Sequence, residues 1–383
     1  MEAILKERIF GLDLMRAIAL VLVVFSHLYY LIGSEDELLI ALSGFAGFLG
    51  VEIFFALSGF LIGNMLLKLF LRDSFSIHDV VEFIKRRWFR TLPSYYLILL
   101  VNLFLMFFLH YEVSNVWKYF FFLQNFSAYE IEFYRESWSL SIEEWTYTSI
   151  PIFLFLLYQL RFKNRKFVFL IFLLFAILFF HILRFYAFPK LDLVNLDKWN
   201  VNIKSVVIYR IDAVLFGMIV SWMYFFYRNS LLNLRIVLAL FALGLFVFQF
   251  AILHKYNVFL ETSPIYYNVF YFTIISLICC SLLPLFIKLK TTNNLILQFV
   301  TYLSKVSYSV YLLHYSVVMV LFKYFIAINK FEINKTVLII VYLLVTFMLS
   351  GILYKYYEKY GENGLKRMMR EGFNCQNTMI IYT

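Results

Sequence analysis

Two ionisable residues, Arg16 and His27, interrupt an apolar run close to the start of the 383-residue chain. At the centre of a membrane span an ionised side chain costs roughly 2.5–3.5 kcal/mol to insert, so each is a functional candidate by default. Eleven helical steps separate the two, which turns them to within about 20° of one face and places them about 16 Å apart along the axis. A fixed cation with an imidazole deeper on the same face suits a long anionic cofactor whose reactive end must reach a base. The plainer alternative pairs Arg16 with Asp13, one turn earlier, and gives His27 a backbone carbonyl.

A second basic group follows in KRRWFRTLP (85–93), where Arg87 and Arg90 share a helical face beside Arg86. Guanidinium pairs bind phosphate in a bidentate fashion that lysines do not match. The same cluster also reads as an inside-facing topology signal with Trp88 as its interfacial anchor. In SWSLSIEEWTY (137–147), Glu143 and Glu144 stand near the start of an apolar run. A carboxylate there could orient and charge-stabilise an imidazole, as in generalised triads; a glutamate pair facing water is the alternative. Glu52, the Arg210/Asp212 pair and His314 add further charge or titratable groups within apolar runs, and mutual pairing that fixes helix register is their simplest role.

The elements that must carry these residues are membrane helices. The chain is 63% hydrophobic, 21% aromatic and only 15% charged, with a mean hydropathy of +0.80. Soluble domains run at about 45–50% apolar and about 25% charged. Ten spans are predicted, at 10–32, 42–69, 93–110, 138–160, 167–187, 205–227, 235–254, 264–287, 299–327 and 335–357. Segment 74–92 is amphipathic and is expected at the interface, with Pro93 opening the third span. With the N-terminus inside, 22 Lys and Arg fall on the cytoplasmic side and 10 outside, which places both termini in the cytoplasm. This asymmetry accounts for the net charge of +10 without nucleic acid. Cys279, Cys280 and Cys375 have neither metal spacing nor good disulfide geometry, so no metal is expected. The N-terminal segment lacks a cleavage motif and reads as a retained first helix.

Seven blocks in order resemble one family. GLDLMRAIALVLVVFSH is similar to the opening motif of the membrane acyltransferase-3 family, an Arg followed by ten residues and a His. VEIFFALSGFLIG, which contains Glu52 and Ser58, resembles its second-helix motif, and RRWFR its Arg-x-x-Arg loop. WSLSIEEWTY, YRIDAVLFG, VSYSVYLLH and YKYYEK resemble further blocks. The resemblance implies a bacterial O-acyltransferase of cell-surface or secreted carbohydrates, commonly using acetyl-CoA. By position it implies Arg16 with His27 as the core pair, Arg87 and Arg90 as the second arginine motif, and Glu143 as the acidic residue. Arg210 and Asp212 match its sixth-helix motif, and Ser309, Tyr311 and His314 its ninth. Tyr360 stands where a proline commonly follows the Glu-Lys pair. The hydrolase-like domain appended to longer relatives is not in this sequence, which implies acceptor handling by the membrane domain.

The resulting expectation is an all-α polytopic transmembrane bundle of about ten helices over residues 1–360, with a short cytoplasmic tail at 361–383. It sits in a bacterial cytoplasmic membrane and moves an acyl group from acyl-CoA to a hydroxyl of a carbohydrate or glycolipid acceptor. Arg16, Arg87 and Arg90 hold the donor; His27, oriented by Glu143, is the base. Glu52, Ser58, Arg210, Asp212, Ser309, Tyr311 and His314 are structural or acceptor-site residues. Direct attack and an acyl-histidine intermediate are both open. A transporter or flippase of a glycan or lipid-linked sugar is the competing class, for which inverted repeats and broken helices would be the signature.

Overall fold

A computed structural model of the protein describes residues 8–33, 36–191, 193, 195–329 and 334–359, and the expected tail at 361–383 lies outside them. Every regular element among the described residues is helical, and the fold is an all-α polytopic bundle. The long helices are α1 (Phe10–Ile32), α2 (Glu37–Phe70), α3 (Ile77–Phe108), α4 (Ser137–Gln159) and α5 (Arg165–Ala187). They continue with α6 (Ile211–Asn233), α7 (Arg235–Val247), α8 (Tyr271–Lys288), α9 (Asn294–Leu313) and α10 (Lys335–Leu353).

Nine helices among the described residues are long and apolar enough to cross a membrane. Nine of the ten predicted spans coincide with them. The fourth, at 138–160, forms α4, a helix of 23 residues. That length, about 34 Å at 1.5 Å per residue, suffices to span. Its first half, SWSLSIEEWTYTS, is too polar for it to count among the nine. A second difference concerns α3. The amphipathic segment and the third span form one continuous helix, with Pro93 inside it and not at its start. Proline removes one backbone donor and crowds the preceding turn; there the Thr91 hydroxyl donates to the Arg87 carbonyl at 3.1 Å.

The described residues divide into two compact units. The first draws on Met1–Gly47, Lys85–Tyr111 and Ile287–Thr383, and the second on Phe48–Ile84 and Glu112–Phe286. In the first unit α1 lies along α9 and α10. Ala17, Val300 and Leu303 form a buried cluster, against which Phe10, Leu14 and Phe347 pack. In the second unit α2 and α6 touch through glycines. A Cβ built on Gly59 would lie 1.9 Å from the Val214 carbonyl oxygen, and one on Gly217 would lie 2.3 Å from that of Ala56. Gly63, one turn beyond Gly59, meets Met218 in the same way. Small residues four apart let two helices approach backbone to backbone, the usual packing device where lipid removes the hydrophobic drive.

Candidate functional site

In the first unit, the shared face expected of Arg16 and His27 is the face of α1 that meets α9. Arg16 Nη1 donates to Ser304 Oγ at 3.1 Å, and His27 Nδ1 lies 3.1 Å from His314 Nε2. Both contacts advance in the same sense along the two helices, so α1 and α9 run parallel there. The plainer partners are present as well: Arg16 lies 3.8 Å from Asp13, and His27 Nδ1 is 2.9 Å from the Val23 carbonyl.

Around Arg16 the network is ordered by Asp13. Arg8 donates to both Asp13 oxygens, at 2.7 and 2.9 Å. The Ser304 hydroxyl donates to Asp13 Oδ1 at 2.6 Å while it accepts from Arg16. Arg16 keeps about a quarter of its side chain exposed, and Arg90 and Arg87 are near enough for their charges to act on it. Arg90 is exposed and Arg87 half-buried. One acidic residue therefore fixes a concentration of like-charged guanidinium groups, an arrangement that favours a polyanion over separate carboxylates.

Around His27 the carbonyl determines the tautomer. An imidazole nitrogen facing the Val23 oxygen must be the one that carries hydrogen, so the basic lone pair is on Nε2. Ser26 donates to the same carbonyl at 2.7 Å, and Tyr315 lies against the His27 ring with centroids 4.4 Å apart. The other predicted residues of α9 divide between two roles. Ser309 donates to Glu358, a residue of the closing YKYYEK block, and is a structural tie. Tyr311 is buried with its ring 5.8 Å from that of His314.

In the second unit, two predicted residues meet directly. Ser58 donates to Glu143 Oε1 at 2.7 Å, and Tyr147 donates to Oε2 at 2.8 Å. Glu143 is half-buried and Glu144 buried, so the pair does not simply face water. Each Glu143 carboxylate oxygen thus accepts from one hydroxyl.

Glu52, Arg210 and Asp212 are fully buried, as the apolar context suggested, but their pairing differs from the expected Arg210/Asp212 couple. Arg210 pairs with Glu52, and its guanidinium lies 3.8 Å over the Phe272 ring. Asp212 accepts from Arg184 at 2.7 Å, and Arg184 also donates to the Tyr209 carbonyl at 2.5 Å. Arg184 stands near the end of the predicted span at 167–187. It is completely buried. Arg210 caps α6 and Asp212 stands two residues on, so the side chains leave different sides of the same turn and each finds its partner on another helix. His181, one turn before Arg184, belongs to the same cluster and bonds to Thr273. Lys204 stands over the rings of Phe48 and Trp138. Neither His181 nor Lys204 was singled out by sequence reasoning; one-turn spacing of His181 to Arg184 was the available signal. No group of metal-ligating residues occurs among the described residues.

Buried charges on a polytopic helical frame, with arginines of α1 and α3 close to one another and a histidine further along α1, describe a multi-pass membrane protein. The chain belongs to the acyltransferase-3 family, its residues 9–355 matching the family's acyltransferase domain. It is 28% identical over 378 residues to the O-acetyltransferase OatA of Staphylococcus aureus strain NCTC 8325 / PS 47, a match covering 91% of this chain and 56% of that one. It is 31% identical over 172 residues to the peptidoglycan O-acetyltransferase OatA of Listeria monocytogenes serovar 1/2a, covering 41% of this chain and 25% of that one. The chain spans about half the length of the curated relatives it matches over most of its own length. No solved structure matches it.

Proposed function

We propose that this protein is an integral membrane O-acyltransferase that carries an acetyl group from acetyl-CoA to a hydroxyl of a cell-envelope carbohydrate. The observation that carries the reading is the α1–α9 pairing: a guanidinium cluster at one end and, eleven residues on, a histidine whose Nε2 is basic. The names of the relatives, an O-acetyltransferase and a peptidoglycan O-acetyltransferase, support acetyl as the acyl group and a peptidoglycan-like glycan as the acceptor. In this reading Arg87, Arg90 and Arg16 bind the donor's phosphates from the cytoplasmic side. The pantetheine arm bridges the roughly 16 Å of helix rise to His27. His27 Nε2 takes the proton of the acceptor hydroxyl as the oxygen attacks the thioester carbon. Glu143 is the acidic residue of the reaction, held ready by Ser58 and Tyr147. The bias of Lys and Arg supports cytoplasmic termini in a bacterial inner membrane.

The test is transfer by the purified full-length protein in nanodiscs, with acetyl-CoA as donor and an N-acetylglucosamine–N-acetylmuramic acid disaccharide as acceptor. A general base contributes about 10²–10⁴ in rate, so His27→Ala should keep acetyl-CoA binding and lose most transfer. His27→Asn, with shape but no basicity, should fail nearly as badly. Near-normal turnover by His27→Asn would make the imidazole a structural hydrogen-bonder. Glu143→Gln should also lose transfer while acetyl-CoA binding is kept; wild-type turnover would make that carboxylate a structural tie to Ser58 and Tyr147.

A further inference from the structure

We infer that His314 is a positioning residue for the transfer reaction: as a neutral imidazole it accepts a hydrogen bond from His27 and holds the His27 ring with Nε2 as the base. This rests on the reading of His27 as general base and extends it to the group behind it.

At His314 the α-helix α9 passes into a π-helical segment, His314–Met319. One extra residue per turn changes which side chains face a neighbour, and such segments recur at functional sites. The His314 carbonyl accepts from the Tyr342 hydroxyl at 2.9 Å, which ties this turn to α10. The His314 side chain is completely buried. Its Nδ1 lies 2.9 Å from the Tyr311 carbonyl and 3.1 Å from that of Val310. Two oxygens that only accept require hydrogen on Nδ1, so Nε2 is left as an acceptor. Its partner there is His27 Nδ1, at 3.1 Å.

His27 Nδ1 faces the Val23 carbonyl and must also carry hydrogen. The single Nδ1 hydrogen of His27 is therefore shared between the Val23 carbonyl at 2.9 Å and His314 Nε2 at 3.1 Å, a bifurcated bond in which His314 is the acceptor. The reverse direction would require a second hydrogen on buried His314 and would set a bare His27 lone pair against a carbonyl. No carboxylate is among the hydrogen-bond partners of the His314 ring in the described residues. His314 thus fills, with a neutral acceptor, the place that a carboxylate takes behind the histidine of a catalytic triad.

The proton balance is simple. The acceptor hydroxyl gives its proton to His27 Nε2 as its oxygen bonds to the thioester carbon. The carbon–sulfur bond breaks, and the same proton passes to the leaving thiolate. Between the two transfers His27 is an imidazolium, whose Nδ1–H donates more strongly than that of the neutral ring. His314 gains and loses no proton; it stabilises the charged intermediate state and fixes the ring's orientation.

The experiment compares His314→Leu, His314→Gln and His314→Asn in the nanodisc assay above. The oxygen of Gln reaches the position of Nε2, whereas the shorter Asn reaches only that of Nδ1. His314→Leu removes one hydrogen bond to a charged group, so kcat should fall roughly ten- to a hundredfold while KM for acetyl-CoA stays within about twofold. His314→Gln should recover most of that loss, and His314→Asn should resemble Leu. Wild-type kcat in His314→Leu would overturn the inference, as would equal losses in Gln and Asn, which would mean packing alone. If Leu is not recovered in the membrane, the Gln–Asn comparison decides. Transfer that survives in His27→Ala would instead refute the general-base reading itself. Loss in His27→Ala with an unimpaired His314→Leu would remove only the positioning role.

Discussion

Replacing Gly59 with Ala adds one methyl group at the place where α2 and α6 touch, and the structure makes its cost large. The new Cβ would lie 1.9 Å from the Val214 carbonyl oxygen and 2.9 Å from the Gly217 Cα. Ordinary contact begins near 3.4 Å, so the closest approach is about 1.5 Å too short. The obstructing atoms are backbone, so no side chain can swing aside and the helices must part. A radial gap of only 0.5–1 Å forfeits about a quarter to a half of each van der Waals contact, and overpacking costs typically about 1–3 kcal/mol, occasionally more. Because Gly63 and Gly217 share the seam, we expect a loss at or above about 3 kcal/mol. The loss should extend to the Glu52–Arg210 pair, two turns away, which the same two helices hold together. Gly244→Ala is the control: its Cβ would meet nothing within 4 Å. There Ala should gain about 0.5–1 kcal/mol from its helix preference. Thermal unfolding in detergent, followed by size-exclusion profile, measures both. A Tm for Gly59→Ala within about 1 °C of Gly244→Ala would refute the backbone-contact argument.

Two further outcomes follow from the charged groups. Replacing both Arg87 and Arg90 with Ala should weaken acetyl-CoA binding by ten- to a hundredfold or more, at about 1.5–3 kcal/mol per charge-assisted bond. Unchanged binding in an inserted protein would return both to a topology signal. Lys204, outside the spans, is pushed down to about 8 by burial and by Arg210, against the opposing pull of Glu52. The unfolded chain holds that proton to about 10.5, so between the two values it binds more protons than the folded one and stability rises with pH. Wild-type Tm should therefore rise relative to Lys204→Met from pH 8 upward; parallel curves for the two proteins would contradict the assignment.

Helix positions were legible because a bilayer demands long apolar runs, and the Arg16–His27 face was legible because helical periodicity converts spacing into direction. Partner choice was not. Arg210 and Asp212 are two residues apart and look like a couple, yet burial on a helix start sends them to Glu52 and Arg184. The burial of Arg184 was not legible either, since an arginine at the end of an apolar run is as readily interfacial as buried until the neighbouring helices are known. The bond between His27 and His314 joins residues far apart in the chain, and the π-helical turn that contributes to it has no clear composition signal. The glycine seam did leave a trace, the four-residue spacing of Gly59 and Gly63, which names a close approach but not the helix that makes it.

The parallel course of α1 and α9 turns a pair of helices into a gauge. The interval from guanidinium cluster to imidazole is set by eleven residues of α1 and checked by ten of α9, from Ser304 to His314. Adding one residue to α1 between Arg16 and His27 would lengthen the interval by only about 1.5 Å but swing the histidine by about 100°, off α9 altogether. The two ends are thus tied more firmly in angle than in distance. Selection can alter the residues around either end, and so the acyl group or the acceptor, but insertions and deletions in this stretch are closed to it.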